Sequence, residues 1–411
     1  MCAVNVITRI SIVLIMDRRK FIKNTSLASS LFLVPSFVRA FEDIANEKLG
    51  FRRLVIIQLS GGNDGLNTVI PINNDVYYRL RPKLAILKED TLMLNDELGL
   101  HKSLLPLKRI YDEGHLSVIN NVGYPNPNRS HFRSTDIWQT ASSSNQYLKS
   151  GWIGRYLDNF DNQPHNAIEV NDSLSLVMKG RKINGLATRN PGIIFKLSQD
   201  PYFKRVLNYY NDEHLNEHNL GYLYKSMITA KSSAKYIYET SKTFTTKQKY
   251  PNSEFAQQLK TTAKFINSGL NTKVFYSSLD GFDTHVNQSK TQERLLKNYA
   301  DSMASFIQDL KQQNTFKDTL ILTFSEFGRR VEQNSANGTD HGSANNVFII
   351  GENLKPPGIY NDLASLNNLD DNGDLKFEID FRTIYATVLN RWLQVDDKKI
   401  LNKSFKQLDF I

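Results

Sequence analysis

The chain has 411 residues, 51 Lys and Arg against 42 Asp and Glu, a formal net charge of +9, and a single cysteine, Cys2. This length is that of one large domain or two ordinary ones and is ample for a buried core. The composition excludes a collagen, a small disulfide-stapled protein and a wholly disordered chain. No apolar run of about 20 residues appears, which excludes a protein with several membrane spans.

The first 40 residues hold +5 of the total charge of +9. Arg18 and Arg19 precede Phe-Ile-Lys, an uncharged run follows over residues 24–38, and a small residue, Ala40, comes shortly after it. This order is typical of a signal peptide, and the arginine pair is similar to the twin-arginine export signal. Met16 fits as the true start. A basic amphipathic surface helix and an uncleaved membrane anchor are the alternatives.

We therefore predict an exported bacterial protein of the periplasm, the cell surface or the medium. Residues 1–40 would be the signal peptide, read by the twin-arginine translocase, and residues 41–411 one mature domain without a cysteine or a transmembrane span. The mature part keeps a charge of only +4. Nucleic-acid binding would need a basic stripe with interleaved aromatic residues. The nearest candidate, residues 225–249, fits a solvated face better, so no nucleic-acid partner is expected.

Short apolar runs alternate with stretches of helical periodicity along the mature chain. This alternation predicts an α/β fold, with a mainly parallel sheet flanked by helices on both faces. A Tyr-, Lys- and Asn-rich segment, 196–262, predicts a mainly helical cap or insertion, and 361–378 a polar loop. The predicted strands are 53–60, 116–122, 273–278, 319–324 and 346–350, and the main predicted helices are 104–111, 130–140, 288–313 and 382–393.

Four polar clusters lie at or beyond predicted strand ends, where open α/β sheets bind ligands. In the first, the glycines of Ser60-Gly-Gly-Asn-Asp64 let the backbone bend and expose Asp64. Asp64 is then a metal-ligating carboxylate or part of an Asp-Gly turn. A nucleotide-binding loop is the third interpretation, although G-x-G-x-x-G is missing.

The second cluster places Ser130 at a predicted helix start, between Arg129 and Arg133. Free N–H groups and the helix dipole suit a nucleophile that must hold an anion, and the arginines would help to bind that anion. The local sequence by itself favours a plain N-cap serine.

The third and fourth clusters contribute carboxylates and imidazoles. Asp283 and His285 lie two residues apart and can reach one metal ion, or they form a surface turn. Glu326, Asp340 and His341 complete the set, although a carboxylate can also orient a neighbouring imidazole, and Arg329-Arg330 can be a solvated basic pair. Such ligands without a thiolate suit Zn²⁺, Mn²⁺, Mg²⁺ or Ca²⁺.

The motifs, in this order, resemble those of the DUF1501 family, an exported family of undetermined activity in the alkaline phosphatase/sulfatase-like superfamily. The resemblance covers nearly all of the mature chain. The matching stretches are LVIIQLSGGNDGLNTVIP, YYRLRPKLAI, VGYPNPNRSHFRSTDIWQT, GWIGRYLD, GFDTH, SEFGRR and GTDHG.

The resemblance implies an alkaline phosphatase-like fold, with metal ligands at strand ends around a nucleophile that attacks phosphate or sulfate. By position it implies that Ser130 is this nucleophile. It also implies a divalent metal site made by Asp64, Asp283, His285, Glu326 and His341. The short spacing in GFDTH and the SEFGR segment depart from the alkaline phosphatase pattern and weaken the case for a second metal. No Cys-x-Pro-x-Arg segment occurs, which argues against formylglycine chemistry.

Two functions compete at this point. The first is an exported metal-dependent hydrolase of phosphate or sulfate esters that uses Ser130, Arg129 and Arg133 beside the Asp/Glu/His site. The alternative is a non-catalytic, metal-stabilised binding or assembly protein on the same fold, which the Tyr-rich segment and the altered ligand pattern favour.

Overall fold

A central sheet organises the part of the chain that the computed structural model describes, namely residues 51–161, 163–202, 205 and 233–411. The predicted signal peptide lies outside these residues, as does much of the predicted cap at 196–262. Among the described residues, no helix is both long enough and apolar enough to cross a membrane.

The strands and helices alternate as the sequence predicts. The strands are β1 Arg53–Ser60, β2 Val69–Pro71, β3 Thr91–Met93, β4 Leu98–His101, β5 Leu116–Gly123, β6 Ala167–Glu169, β7 Leu186–Ala187, β8 Val274–Asp280, β9 Thr319–Phe324, β10 Asn345–Ile350, β11 Gly358–Ile359 and β12 Ile379–Asp380. The α-helices are α1 Asp75–Leu80, α2 Leu105–Asp112, α3 His131–Thr140, α4 Trp152–Phe160, α5 Pro191–Gln199, α6 Glu254–Asn267, α7 Gln288–Gln312, α8 Phe381–Thr387, continued by a π-helical turn over Val388–Trp392, and α9 Asp397–Leu401. Residues 233–241 are also helical.

In the described residues, nine strands form the main sheet, in the order β11-β5-β10-β9-β1-β8-β6-β7, with β12 beside β5. The pairs β1–β8, β1–β9 and β6–β8 are parallel. A separate antiparallel sheet has the order β2-β4-β3. The predicted α/β class, with its mainly parallel sheet, is confirmed.

Side chains of β1 alternate between two apolar layers because successive residues of a strand point to opposite faces. Val55, Ile57 and Leu59 join a core with α2, α6 and α7, whereas Leu54 and Ile56 join a core with α3, α4 and α8. All five side chains are at most 2% exposed. The sheet is therefore covered by helices on both faces, and polar groups gather at strand ends instead.

Strand β10 runs against its neighbours: it pairs antiparallel with both β9 and β5. Its amino end therefore lies where the carboxyl ends of β9 and β5 lie. For this reason the Asp340-His341 segment, which precedes β10, can meet side chains that follow β5, β8 and β9. The sequence predicts this strand but does not reveal its direction.

Candidate metal centre

The Oδ1 atom of Asp283 is the point on which the candidate site converges. Asp283 follows β8, and its side chain is 49% exposed. The Nε2 atoms of His285, His341 and His131 lie 3.0, 3.1 and 3.4 Å from this oxygen. His131, Asp283 and His341 offer ligand atoms that all lie within 4.8 Å of one another. His285 lies beside this group rather than within it: its Nε2 is 2.9 Å from that of His341, but its ligand atom is not among those that all lie within 4.8 Å of one another.

The other nitrogen of each imidazole meets an oxygen of the protein. The Nδ1 of His131 is 2.9 Å from Oε1 of Glu326, that of His285 is 3.0 Å from Oδ1 of Asp340, and that of His341 is 2.8 Å from a backbone oxygen, that of Arg129. A carbonyl or an ionised carboxylate only accepts hydrogen bonds. Each neutral imidazole therefore carries its proton on Nδ1 and turns the lone pair of Nε2 toward Asp283.

These residues fit a divalent cation. The lone pairs of three imidazoles face one carboxylate oxygen, to which the guanidinium of Arg329 also donates, and the Nε2 of His131 is buried without a hydrogen-bond partner in the described part of the chain. A cation among these atoms would offset their mutual repulsion. Imidazoles held through Nδ1 by a carboxylate or carbonyl are the usual arrangement around a protein-bound metal. Three N and O donors without sulfur match zinc in catalytic sites, which keep a fourth position open, and imidazole also suits other transition metals.

Neighbouring charges, hydrogen bonds and burial shift the pKa values of the site residues. The hydrogen bond to Glu326 raises the pKa of His131 above its ordinary value, whereas burial lowers the pKa of His341. Burial acts to raise the pKa of Asp283, but the hydrogen bond from Arg329 and the positive charge of that guanidinium outweigh it and hold that pKa well below its usual range. Asp283 therefore stays ionised, as a metal ligand must.

Glycine at position 61 lets the β1 loop approach the site. Gly61 has φ +114°, and a Cβ there would lie 2.5 Å from the backbone nitrogen of Asp283. Its N–H donates to Oε1 of Glu326 at 2.8 Å. The same carboxylate oxygen thus contacts both Gly61 and His131, and the Glu326 residue is buried, with 1% of its surface exposed.

Arg329 is buried rather than solvated, which corrects the interpretation of Arg329-Arg330 as a solvated pair. It is 2% exposed and donates from Nη2 to Oδ1 of Asp283 at 2.8 Å. Its remaining hydrogen bonds go to backbone oxygens of the β1, β8 and His341 loops, those of Gly61, Gly62, Phe282 and Thr339. This guanidinium therefore ties the three loops together.

Asp64 is not part of this group of donors. Its Oδ2 is 2.6 Å from Nη1 of Arg81 and accepts a hydrogen bond of 2.5 Å from Nε2 of Gln288. The side chains of Asp64 and Arg81 are both fully buried. A guanidinium, rather than imidazoles, faces the Asp64 carboxylate.

A family model described as "Protein of unknown function (DUF1501)" matches residues 51–405. The chain belongs to the DUF1501 family. No curated protein matches this DUF1501 sequence.

Solved structures similar to the DUF1501 protein resemble it only distantly. The PsFucS1 sulfatase from Pseudoalteromonas sp. is 10% identical, with 90% of this chain and 73% of that chain covered and a TM-score of 0.41. The zinc complex of the C-terminal periplasmic domain of EcEptC from Escherichia coli is 12% identical, with coverages of 73% and 72% and a TM-score of 0.36. A member of the alkaline phosphatase superfamily from Vibrio parahaemolyticus is 10% identical, with coverages of 74% and 61% and a TM-score of 0.34. Likeness of this degree decides neither activity nor substrate.

Ser130 of the DUF1501 protein occupies the N-cap position of α3, but its side chain makes no capping hydrogen bond. Its backbone is held instead: its N–H donates to Oδ1 of Asn128 at 2.8 Å, and its carbonyl accepts from the N–H of Ser134 at 2.9 Å. Ser130 is exposed and adjoins His131. The hydroxyl group is therefore not used by the helix.

The two predicted anion-binding arginines have protein partners. The Nη2 of Arg133 donates to backbone oxygens of Ser143, Ser144 and Gln146 at 3.3, 3.0 and 2.6 Å, and the residue is 8% exposed. Arg129 forms a salt bridge with Asp374, whose side chain is fully buried. Arg129 thus contributes to the site through its carbonyl group, which binds His341.

His131 is the site residue of the DUF1501 protein that sequence reasoning missed. It opens α3 directly after Ser130, in a stretch that sequence analysis examines for its serine and arginines. The available signal was an imidazole at the first position of a helix that follows a strand end. The structure assembles Asp283, His285 and His341 with this residue, and it places the predicted ligands Glu326 and Asp340 on the Nδ1 atoms of His131 and His285.

Proposed function

We propose that this DUF1501 protein is a metal-dependent hydrolase of phosphate or sulfate esters. His131, Asp283, His285 and His341 would hold one divalent cation, zinc or another of the ions named above. The observation that carries this proposal is the convergence of three Nε2 atoms on one carboxylate oxygen, with every Nδ1 atom held by an oxygen acceptor. A bound cation would polarise the ester and favour ionisation of a nearby nucleophile.

Ser130 is the proposed nucleophile. Its exposed hydroxyl makes no capping bond and adjoins the ligand His131. Its oxygen would bond to phosphorus or sulfur while the bond to the alcohol oxygen breaks, and its proton would pass to the departing alcohol. Water would then release the phosphate or sulfate and restore the hydroxyl group. The N–H groups at the start of α3 favour the anion during both steps.

The surrounding residues keep the imidazoles in place. Glu326 and Asp340 accept from His131 and His285, and the carbonyl group of Arg129 accepts from His341. Asp374 in turn pairs with the guanidinium of Arg129. These four groups would therefore orient the metal ligands rather than touch the substrate.

One observation favours the alternative, a non-catalytic, metal-stabilised binding or assembly protein. The side chains of Arg129 and Arg133, which the sequence assigns to the substrate anion, are both engaged by protein oxygens. A transferring phosphoryl or sulfuryl group would then be stabilised by the metal and by backbone N–H groups alone.

The test compares the purified mature protein with Ser130→Ala and with Ser404→Ala, which removes an exposed hydroxyl from the C-terminal segment. We expect bound divalent metal by elemental analysis in all three proteins. We expect hydrolysis of a panel of phosphate and sulfate esters by the wild type and Ser404→Ala, and loss of turnover in Ser130→Ala. Full hydrolysis by Ser130→Ala would exclude Ser130 as nucleophile. Bound metal without hydrolysis of any ester would favour the binding protein, and a metal-free protein would exclude the metal centre.

Export through the twin-arginine translocase is a separate part of the proposal. It rests on Arg18, Arg19 and the uncharged run over residues 24–38. Cell fractionation should find the mature protein outside the cytoplasm, with a new amino terminus near Ala40. Replacing both arginines with lysine should retain the full-length chain in the cytoplasm, and an unchanged distribution would contradict this route.

A further inference from the structure

A cavity of about 460 Å³ opens beside the candidate metal centre. Its wall includes His131, Asp283 and Glu326 of the candidate site together with Phe132, Thr135 and Asp136 of α3. A substrate whose ester lies at the metal would therefore extend along the first turns of α3. The chemistry of these turns then selects the group attached to the ester.

Phe132 is the most exposed large apolar side chain in the described part of the chain, at 87%. It directly follows His131, so the two residues lie on the same turn of α3. Exposure of a large aromatic ring to water is unfavourable. At a ligand-binding cavity, such a ring supplies a face against which a ligand group can pack.

Asp136 lies one helical turn after Phe132, on the same side of α3. It is half-buried, and no hydrogen bond or ion pair of its carboxylate occurs within the described residues. Surface carboxylates are common, but this one lines a cavity that an exposed aromatic ring also lines. An aromatic face and an unpaired carboxylate together attract a positively charged group.

No positive side chain of the described residues competes for that position. The wall of the cavity contains neither Lys nor Arg. The nearby guanidinium groups of Arg133 and Arg329 are buried and bound to backbone oxygens, and Arg129 is paired with Asp374. A second anionic group on the substrate would therefore meet Asp136 without a cation to offset it.

We propose that this cavity binds an alkylammonium group carried by the alcohol part of the substrate, with its charge against Asp136 and its alkyl surface on Phe132. The assignment deepens the proposed function and rests on it, because the phosphate or sulfate must be held at the metal centre. The substrate class is accordingly an ester whose phosphate or sulfate is separated by a short chain from a positively charged nitrogen.

The test uses two probes that share shape and phosphate but differ in one charge, phosphocholine and 3,3-dimethylbutyl phosphate. Calorimetric titration of the zinc-loaded mature protein should show about tenfold tighter binding of phosphocholine, from the combined cation–π and ion-pair contributions. Asp136→Asn should reduce this preference to about twofold, and Phe132→Ala should weaken phosphocholine binding several-fold. Asp371→Asn, which removes an exposed carboxylate outside the cavity wall, should preserve the tenfold preference.

Equal affinity for the two probes in the wild type, or binding of neither at millimolar concentration, would overturn the assignment. So would an undiminished tenfold preference in Asp136→Asn. Hydrolysis is measured separately on the same samples. A tenfold preference for phosphocholine without turnover would refute the hydrolase and support the ammonium site. Turnover without this preference would support the hydrolase and refute the ammonium site.

Discussion

Asp64 and Asp283 follow two neighbouring parallel strands, β1 and β8, whose last residues Ser60 and Asp280 pair in register. Each comes shortly after a glycine, and the sequence gives both the same predicted role. The structure surrounds them differently. Asp283 is half-exposed and faces three imidazoles as well as the guanidinium of Arg329, whereas Asp64 is fully buried against Arg81.

Glu169, the last residue of β6, extends the comparison to a third carboxylate at a strand end. The N–H and hydroxyl groups of Ser175 donate to it, and no salt bridge to it occurs in the described residues. Burial raises its pKa to about 7. Asp283 thus faces imidazoles and a guanidinium, Asp64 faces a guanidinium, and Glu169 holds a proton, so that the set of partners rather than the strand end decides what each carboxylate can do.

Removing the positive partner of Asp64 should have the largest effect on stability. Arg81→Met leaves a buried carboxylate without its cation, and we expect the free energy of unfolding to fall by about 3–5 kcal/mol in urea titrations. Arg391→Met is the control, since its partner Asp409 is exposed, and it should cost at most about 1 kcal/mol. Equal losses of stability in the two variants would show that burial of the Asp64–Arg81 pair does not increase the cost of removing its cation.

Metal binding should depend on Asp283 and not on Asp64. Asp283→Asn keeps the shape but removes the ligand charge, so we expect metal affinity to fall at least about a hundredfold, on the order of 3 kcal/mol. Asp64→Asn should retain metal, because in the described residues Asp64 is not among the ligand atoms that meet at Asp283. Competition with a chelator measures both affinities. Retention of metal by Asp283→Asn and its loss by Asp64→Asn would reverse the assignment.

Glu169 should make stability depend on pH in a direction opposite to that of a salt-bridged carboxylate. Its pKa is about 7 in the fold against an ordinary 4.5, so between these values the folded state keeps a proton that the unfolded state releases. Stability therefore falls as pH rises through this window, by up to about 3 kcal/mol at 1.36 kcal/mol per pKa unit. Relative to the wild type, Glu169→Gln should gain stability between pH 5 and pH 8. A difference that does not change with pH would contradict this.

The fold could be predicted from the sequence because its signals are local. Apolar runs such as 319–324 and the periodicity of 288–313 correspond to β9 and α7 within one residue. The direction of β10 could not be predicted, since a short apolar strand has the same pattern in either direction. Its reversal is what brings Asp340 and His341 to the ends of β8 and β9.

The sequence allowed the segments that form the candidate site to be predicted, but not which partner each side chain contacts. Residue type and strand-end position indicate Asp283, His285 and His341, and the structure brings them together. They cannot show that Arg81 faces Asp64, or that the carboxylate of Glu326 meets a nitrogen of His131. Those pairings join residues 17 and 195 positions apart, so only the folded chain defines them.

The smallest expected effect on metal affinity is that of replacing Asp340, whose carboxylate contacts the imidazole of His285 rather than the proposed metal position. Asp340 is 53% exposed, and its Oδ1 lies 3.0 Å from the Nδ1 of His285. In Asp340→Asn the amide oxygen still accepts the hydrogen bond, but it lacks the charge that makes the imidazole a stronger donor to the metal. We expect metal affinity to fall about tenfold, near the lower limit for such partners. Glu332→Gln, an exposed acid nearby in sequence, should leave affinity unchanged. A loss in Asp340→Asn as large as that in Asp283→Asn would instead make Asp340 a direct ligand, and the distinction between carboxylates that bind the metal and carboxylates that orient its imidazoles would fail at this position.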